Sequence, residues 1–162
     1  MTDEFADQNC CSDSQKMKIL LAIDDSKCSQ TALKSVVTRV YSPGTEVKVL
    51  HVIEPPSHLL GREMKAYDPE FEAVWNARRD QAKALVSKAM ETLRGAGLSV
   101  TPALQEGDPR SQIIDVAKEW HADLIVLGSH GRTGLQRFLL GSVSGAVVRH
   151  AHCSVEVVRT QT

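Results

Sequence analysis

A glycine- and serine-rich stretch between Gly128 and Ser144 is the part of the sequence best suited to chemistry. Glycine at 128 and at Gly131 lets the backbone turn tightly and approach a ligand without a Cβ in the way. Gly141 and Ser142 stand where a last helix is expected to begin, and the free N–H groups and dipole of a helix start favour an anion such as phosphate. Serine hydroxyls at 142 and 144 add hydrogen-bond donors. We therefore expect this stretch to hold the phosphates of a ligand.

The stretch fits neither of two common nucleotide-binding motifs. A P-loop has a lysine directly before the serine that opens its helix, and no lysine precedes Ser142. A dinucleotide fingerprint would follow the first strand, where Asp24-Asp25-Ser26 stands instead. A P-loop NTPase and a dinucleotide-binding dehydrogenase are therefore both disfavoured.

Alternating strand and helix patterns must position this stretch. Short apolar runs closed by polar or turn residues predict strands at 18–23, 46–53, 98–104, 123–127 and 154–158. The order βαβαβαβαβ predicts a single α/β domain, an open, doubly wound, five-stranded parallel sheet in the order 3-2-1-4-5 with helices on both faces. Pro102 places the third strand at or near a sheet edge. Helical spacing predicts the first helix from Ala32, Leu33, Val36, Val37 and Val40, and a long, partly amphipathic second helix from Val74, Ala77, Ala84, Leu85, Lys88 and Leu93.

In such a sheet, ligands bind beyond the carboxyl ends of the strands, at the point where strand order reverses. That point lies between the first and fourth strands, which end at Asp24 and Gly128. The topology therefore places a carboxylate opposite the glycine-rich stretch. Asp24 could instead serve only to cap the helix that follows it, and both interpretations stay open.

With these residues considered together, residues 17–159 resemble the universal stress protein family. Its nucleotide-binding members carry the motif G-x2-G-x9-G-[ST], which Gly128, Gly131, Gly141 and Ser142 match in full. Three further stretches are similar to the family's first strand, second strand and third loop, namely 19–26, 50–53 and 107–109.

The resemblance implies a site for ATP, AMP or ADP, in which Mg²⁺ or Mn²⁺ bridges the phosphates. It does not indicate which residues of the protein would bind the metal. Carried over by position, the residues that border adenine and ribose are Ala22, Asp24 and Val52. Those that follow the ribose and phosphates are Gly128, Gly131 and Arg132, and those at the phosphate end are Gly141, Ser142, Val143 and Ser144. We predict that Gly128→Val or Gly141→Val abolishes ATP binding and leaves the fold largely intact, because a Cβ would intrude where backbone meets phosphate.

The resemblance also implies a homodimer that pairs through the last strand. The family's last strand usually reads like C-P-V-L-V-V, whereas this chain has Cys153-Ser154-Val155-Glu156-Val157-Val158. A glutamate in an edge strand can block pairing between sheets. The departure at Glu156 therefore puts the dimer in doubt without excluding it.

Binding fits these residues better than turnover. Phosphoryl transfer needs a metal holder, a positioned nucleophile and charge compensation, and the sequence offers no dedicated general base, so we assign no catalytic residue. We interpret the chain as an ATP-binding stress-response module with slow or no hydrolysis. Two alternatives stay open: a weak metal-dependent ATPase or adenylate-transfer enzyme that uses His130 and Arg132, and a protein-interaction module with a vestigial nucleotide site.

Composition predicts a soluble, cytoplasmic protein. The 162 residues allow one domain, here 17–160, after a polar stretch at 1–16 that we expect to be disordered. A net charge of −1 gives no electrostatic reason to expect nucleic acid or an anionic membrane as partner. No apolar run approaches the ~20 residues that span a bilayer, and the acidic N-terminus lacks the features of a secretory signal. The spacing of the four cysteines is typical of free thiols, and the role of the adjacent Cys10 and Cys11 stays open.

Overall fold

The computed structural model describes residues 16–55, 69–131 and 140–160. Within these residues, five parallel strands form one sheet in the order β3-β2-β1-β4-β5, which confirms the predicted α/β fold. The strands are β1 Lys18–Ala22, β2 Glu46–Ile53, β3 Ser99–Glu106, β4 Leu124–Gly128 and β5 Ser154–Val158. The helices are α1 Lys27–Val37, α2 Pro69–Gly95, α3 Pro109–Glu119 and α4 Ser142–His150. The tail expected to be disordered lies, but for Lys16, outside the described residues.

The register brings the carboxyl ends of three strands to one edge of the sheet. Ala22, at the end of β1, is paired with Leu50 of β2 on one side and with Leu127 of β4 on the other. Strand order reverses between β1 and β4, because the chain builds outward to β3 on one side of β1 and to β5 on the other. The turns after β1 and β4 therefore lie side by side, where this topology binds ligands.

Two apolar clusters fill the two faces of the sheet, because successive side chains of a strand point to opposite faces. Ile19 and Leu21 of β1 pack in the cluster beneath α1 and α2, whereas Leu20 packs in the cluster beneath α3 and α4. All three side chains are fully buried. With both faces covered, β1 has a continuous apolar run instead of an alternating pattern.

The buried faces of the first two helices include only some of the residues that recur at helical spacing. Helix α1 ends at Val37, and the backbone N–H and the hydroxyl of Thr38 both donate to Lys34 O, so Val40 lies beyond the helix and is fully exposed. In α2, Ala77 and Ala84 are exposed. Alanine is small enough to occupy either side of a helix, so the bulkier side chains decide which stripe faces the sheet. The buried stripe of α2 is Trp75, Ala82, Val86, Ala89, Met90 and Leu93.

The edge strands are β3 and β5. Pro102 lies in β3 as expected, although that strand continues to Glu106. On β5, both carboxylate oxygens of Glu156 accept hydrogen bonds from the guanidinium of Arg39, at 2.5 and 2.6 Å. This ion pair ties β5 to the segment that follows α1. In the part of the chain that the structure describes, no helix is long and apolar enough to cross a membrane.

Candidate functional site

A cavity of about 620 Å³ opens at the carboxyl edge of β1, β2 and β4, where strand order reverses. Its volume lies within the range of about 300–1,000 Å³ that is usual for small-molecule sites. The structure brings to this one cavity residues that span more than a hundred positions of sequence. Of the ten residues predicted for the site, Arg132 lies outside the described residues, and the nine that line the cavity are Ala22, Asp24, Val52, Gly128, Gly131, Gly141, Ser142, Val143 and Ser144.

The turn after β1 holds the Asp24 carboxylate in a fixed direction. Its Oδ1 accepts hydrogen bonds from the backbone N–H of Ser26 at 3.1 Å and from the Ser26 hydroxyl at 2.5 Å. The Ser26 hydroxyl in turn accepts the N–H of Ser29 at 3.1 Å, so Ser26 is the N-cap of α1. The alternative that Asp24 itself caps the helix is therefore wrong. Asp24 supports the cap and keeps its second oxygen, Oδ2, on the side of Gly131.

Two glycines of the motif make room for different neighbours. A Cβ on Gly131 would lie 2.9 Å from Asp24 Oδ2, so this glycine leaves space for the carboxylate. A Cβ on Gly128 would lie 2.8 Å from the carbonyl carbon and the Cβ of Cys28, and 2.9 Å from Ser29 N. Gly128 thus allows α1 to pack closely against the end of β4. This geometry contradicts the expectation that Gly128→Val leaves the fold intact.

The start of α4 forms the opposite wall of the cavity. Gly141 is its N-cap and supplies no side chain to the free N–H groups of the first turn, which leaves them available to an anion. The Gly141 N–H donates to Ser129 O at 2.9 Å, and the buried Ser144 hydroxyl donates to the same carbonyl at 2.9 Å. Because a hydroxyl has one proton, Ser144 fastens the turn after β4 to α4, whereas Ser142 is exposed at the helix start.

The Ser129 hydroxyl, which the sequence analysis did not predict as part of the site, contacts two further polar side chains beside the turn after β4. The buried Ser129 hydroxyl is 3.1 Å from His130 Nδ1 and 3.7 Å from Cys28 Sγ. Burial raises the pKa of the Cys28 thiol, but hydrogen bonds with the Ser129 hydroxyl and with the backbone of Thr160 and His130 outweigh it, so the pKa lies below its ordinary value. His130 lines the cavity and is held by its neighbour's hydroxyl.

Two more buried polar side chains, and the exposed carboxylate of Glu54, were missed by the interpretation of the site from sequence. Ser29 and His51 line the cavity although both are buried. The available signal was a polar residue inside an apolar pattern, since His51 interrupts the run Val49-Leu50-His51-Val52-Ile53. Across the described ranges, no group of three His, Cys, Asp or Glu side chains lies close enough to hold a metal ion.

Comparisons with known proteins cover nearly the whole described chain. The model of the universal stress protein family matches residues 17–159. Universal stress protein MJ0531 of Methanocaldococcus jannaschii is 30% identical over 142 residues, which cover 88% of this chain and 81% of that protein. Universal stress protein YxiE of Bacillus subtilis is 32% identical over 148 residues, with 88% and 98% covered. The solved structure of MJ0577, also from M. jannaschii, matches with a TM-score of 0.77 at 31% identity and covers 90% of this chain and 97% of that one. The chain therefore belongs to the universal stress protein family.

Proposed function

We propose that this protein binds ATP, or a closely related adenine nucleotide, in the cavity between β1 and β4 and acts as a nucleotide-dependent module of a stress response. One observation carries the proposal: a single cavity joins the Asp24 carboxylate to the start of α4, whose N-cap Gly141 offers no side chain to the free N–H groups. The two ends of the cavity suit the two ends of a nucleotide.

The base and sugar fit the apolar part of the cavity wall. Apolar side chains of Val52 in β2, Ile113 in α3 and Leu127 in β4 line the cavity, and all three are buried. A flat apolar base can pack on such a surface, while the Asp24 carboxylate accepts hydrogen bonds from an amino or hydroxyl group. The phosphates then lie toward Gly131, Gly141 and Ser142, where backbone N–H groups and the helix dipole favour negative charge.

Two solved structures of the same fold contain an adenine nucleotide. A universal stress protein in complex with cAMP matches this chain with a TM-score of 0.65 at 22% identity. A family protein from Arabidopsis thaliana with AMP bound matches with a TM-score of 0.65 at 18% identity. At these identities the two structures show the common fold, and the residues of the cavity carry the argument for this chain.

In our proposal the protein holds the nucleotide and hydrolyses it slowly or not at all. Mg²⁺ or Mn²⁺ would supply charge compensation for the phosphates, and Asp24 and Glu54, the carboxylates that line the cavity, would hold the ion. The alternative of an ATPase or adenylate-transfer enzyme would use His130 and Arg132. Steady metal-dependent release of phosphate or AMP that is lost in His130→Ala would favour that alternative.

Two measurements test the binding. Freshly purified protein is denatured, and any released nucleotide is identified by mass. Calorimetric titration with ATP then compares the wild type with Gly131→Ala, whose Cβ would displace the Asp24 carboxylate, and with the control Gly95→Ala, whose Cβ meets no atom within 4 Å. We expect at least a tenfold weaker ATP affinity for Gly131→Ala and an unchanged affinity for the control.

The opposite result would favour the interaction-module alternative. If the wild type carries no nucleotide and shows no heat of binding at millimolar ATP, the cavity is vestigial. If both glycine variants bind ATP as tightly as the wild type, the cavity is not the binding site.

We also propose that two copies pair through β5. Glu156 was the reason for doubt, and its carboxylate is neutralised by Arg39 of the same chain, so it does not present an unpaired charge to an approaching strand. Sedimentation velocity should give a dimer for the wild type. A monomer across the micromolar range would contradict this proposal. The cytoplasmic location stays a prediction from sequence.

A further inference from the structure

Cys28, Ser129 and His130 form a chain of three polar side chains beside the cavity. Cys28 is the second residue of α1, and its Sγ lies 3.7 Å from the Ser129 hydroxyl. That hydroxyl lies 3.1 Å from His130 Nδ1. Cys28 is half-buried, Ser129 is buried with 1% of its surface exposed, and His130 lines the cavity. The chain therefore leads from a partly exposed thiol to the wall of the proposed nucleotide site.

This arrangement can remove the proton of the thiol. A hydroxyl both accepts and donates a hydrogen bond, and an imidazole nitrogen without a proton is an acceptor. The Cys28 proton can therefore pass to the Ser129 oxygen while the Ser129 proton passes to His130 Nδ1. The Ser129 hydroxyl then donates to the thiolate, whose charge lies in the first turn of α1, where the helix dipole favours an anion. The thiolate is the form of cysteine that attacks a disulfide.

The backbone of Ser129 also fixes the start of α4, which is the proposed phosphate end of the cavity. The Ser129 carbonyl accepts the Gly141 N–H and the Ser144 hydroxyl, both at 2.9 Å. A Cβ on Gly141 would lie 3.0 Å from the same carbonyl oxygen, so α4 packs directly on this residue. Because buried groups are close-packed, a displacement of Ser129 would also displace the free N–H groups at the start of α4.

Neither Cys28 nor Ser129 has room to move away from the other. A Cβ on Gly128 would lie 2.8 Å from Cys28 Cβ, so α1 already packs closely against the end of β4. On its other side, the Ser129 N–H donates to Val158 O at the end of β5, at 2.8 Å. A group attached to the Cys28 sulfur would therefore strain the contacts of Ser129, including those with α4.

We propose that Cys28, activated through Ser129 and His130, is a modification site at which a small disulfide such as oxidised glutathione forms a mixed disulfide and weakens nucleotide binding. The Cys28 thiolate attacks one sulfur of the reagent. The S–S bond of the reagent breaks as the new S–S bond to Cys28 forms, and the second sulfur leaves as a thiolate that takes up the proton from His130. Cys28 is oxidised and the reagent is reduced, and an excess of free thiol reverses the step. The effect on the nucleotide rests on the proposed function, whereas the reactivity of Cys28 does not.

The test measures disulfide exchange and ATP binding on the same full-length protein. The substitutions Cys10→Ser, Cys11→Ser and Cys153→Ser leave Cys28 as the remaining thiol, and a matched variant keeps Cys153, which is also half-buried, in its place. Each protein is equilibrated with mixtures of reduced and oxidised glutathione, with and without saturating ATP. Mass spectrometry gives the fraction that carries the mixed disulfide, and titration calorimetry gives the ATP affinity of the reduced and the modified protein.

We expect the mixed disulfide at Cys28 to weaken ATP binding about tenfold, and saturating ATP must then lower the equilibrium constant for the mixed disulfide by the same factor. A nucleotide that merely slowed access to the sulfur would leave this equilibrium constant unchanged. The variant that keeps Cys153 should show neither effect. Cys28→Ser, a nearly isosteric change, should bind ATP with wild-type affinity before and after treatment with oxidised glutathione.

Replacing Ser129 by alanine tests how the thiol is activated. The change removes the hydroxyl between Cys28 and His130 and keeps the carbonyl that holds α4. The exchange rate at Cys28 should fall about tenfold, because less of the thiol is present as thiolate. The same change should leave the exchange rate at Cys153 unaltered. An unchanged rate at Cys28 would overturn the role assigned to Ser129 and His130.

The outcomes that overturn the inference are separate from failure of the proposed function. If Cys28 forms the mixed disulfide less readily than Cys153, it is not the modification site. If the modified protein binds ATP as tightly as the reduced protein, or loses ATP because circular dichroism shows it unfolded, Cys28 does not regulate the cavity, although nucleotide binding stands. If the reduced wild type binds no ATP, the proposed function fails and the coupling fails with it, while the exchange at the two cysteines still shows whether Cys28 is the reactive thiol.

Discussion

Replacing Gly128 by alanine tests whether the first glycine of the motif serves packing as well as ligand binding. The added Cβ would lie 2.8 Å from two carbons of Cys28 and 2.9 Å from Ser29 N, whereas carbon atoms pack best at about 3.5–4.0 Å. Helix α1 would therefore have to move by roughly 0.7 Å or more, since two of the three contacts are backbone atoms. Overpacking of this kind costs about 1–3 kcal/mol. In a domain of this size it should lower the thermal midpoint by about 2–12 °C.

The assay is urea and thermal unfolding followed by circular dichroism, with Gly95→Ala as the matched control. Gly95 is the last residue of α2, and a Cβ there meets nothing within 4 Å. Alanine is the better helix former by up to about 1 kcal/mol, so the control should be neutral or stabilising. The two Gly→Ala changes should thus shift stability in opposite directions. Wild-type or higher stability of Gly128→Ala would refute the packing role.

Three further predictions concern the edge strand, the thiols and the turn after β4. Arg39→Met should cost less than about 1 kcal/mol and should lose its effect in high salt, because the Arg39–Glu156 pair is partly exposed with 47% and 23% of the two side chains accessible; a salt-independent loss above 2 kcal/mol would contradict this. The pKa of Cys28 is lowered, whereas burial and a nearby carboxylate raise the pKa of Cys153. In a variant that keeps only these two cysteines, the alkylation rate of Cys28 should therefore rise at a lower pH than the alkylation rate of Cys153. The reverse order of the two pH profiles would refute the assignment. Ser144→Ala should destabilise the fold by about 0.5–1.5 kcal/mol, because the Ser129 carbonyl loses one of its two donors and keeps the Gly141 N–H, and an unchanged urea midpoint would count against this role.

Most of the fold could be predicted from local sequence patterns. The strands that cross the centre of the sheet are nearly all apolar, since helices cover both faces, and this made them easy to place from sequence. The proline in β3 correctly indicated an edge position. The inner face of α2 was placed less well, because Ala77 and Ala84 match an apolar pattern but are too small to decide which side of the helix is buried.

The sequence was enough to predict which chain segments form the candidate site. It was not enough to predict which atoms of those segments face the cavity and which form contacts within the protein. The spacing of the glycines and the strand order were enough to bring Asp24 and the start of α4 to one cavity. Spacing could not show that Ser144 is committed to a loop carbonyl, nor that Gly128 accommodates Cys28. Each of these roles depends on a neighbour about a hundred residues away or on the orientation of a single hydroxyl.

The sequence by itself determined the parallel α/β sheet, the segments that meet at its carboxyl edge, and the spacing of the glycines, because these depend on periodicity and spacing along the chain. Only the tertiary structure decided which polar groups face the cavity and which hold the backbone in place. His51 and Ser29 show the physical reason. A polar side chain in an apolar pattern must find a hydrogen-bond partner when it is buried, but only the packing of β2 and α1 against the end of β1 decides that this partner is the peptide before Asp24.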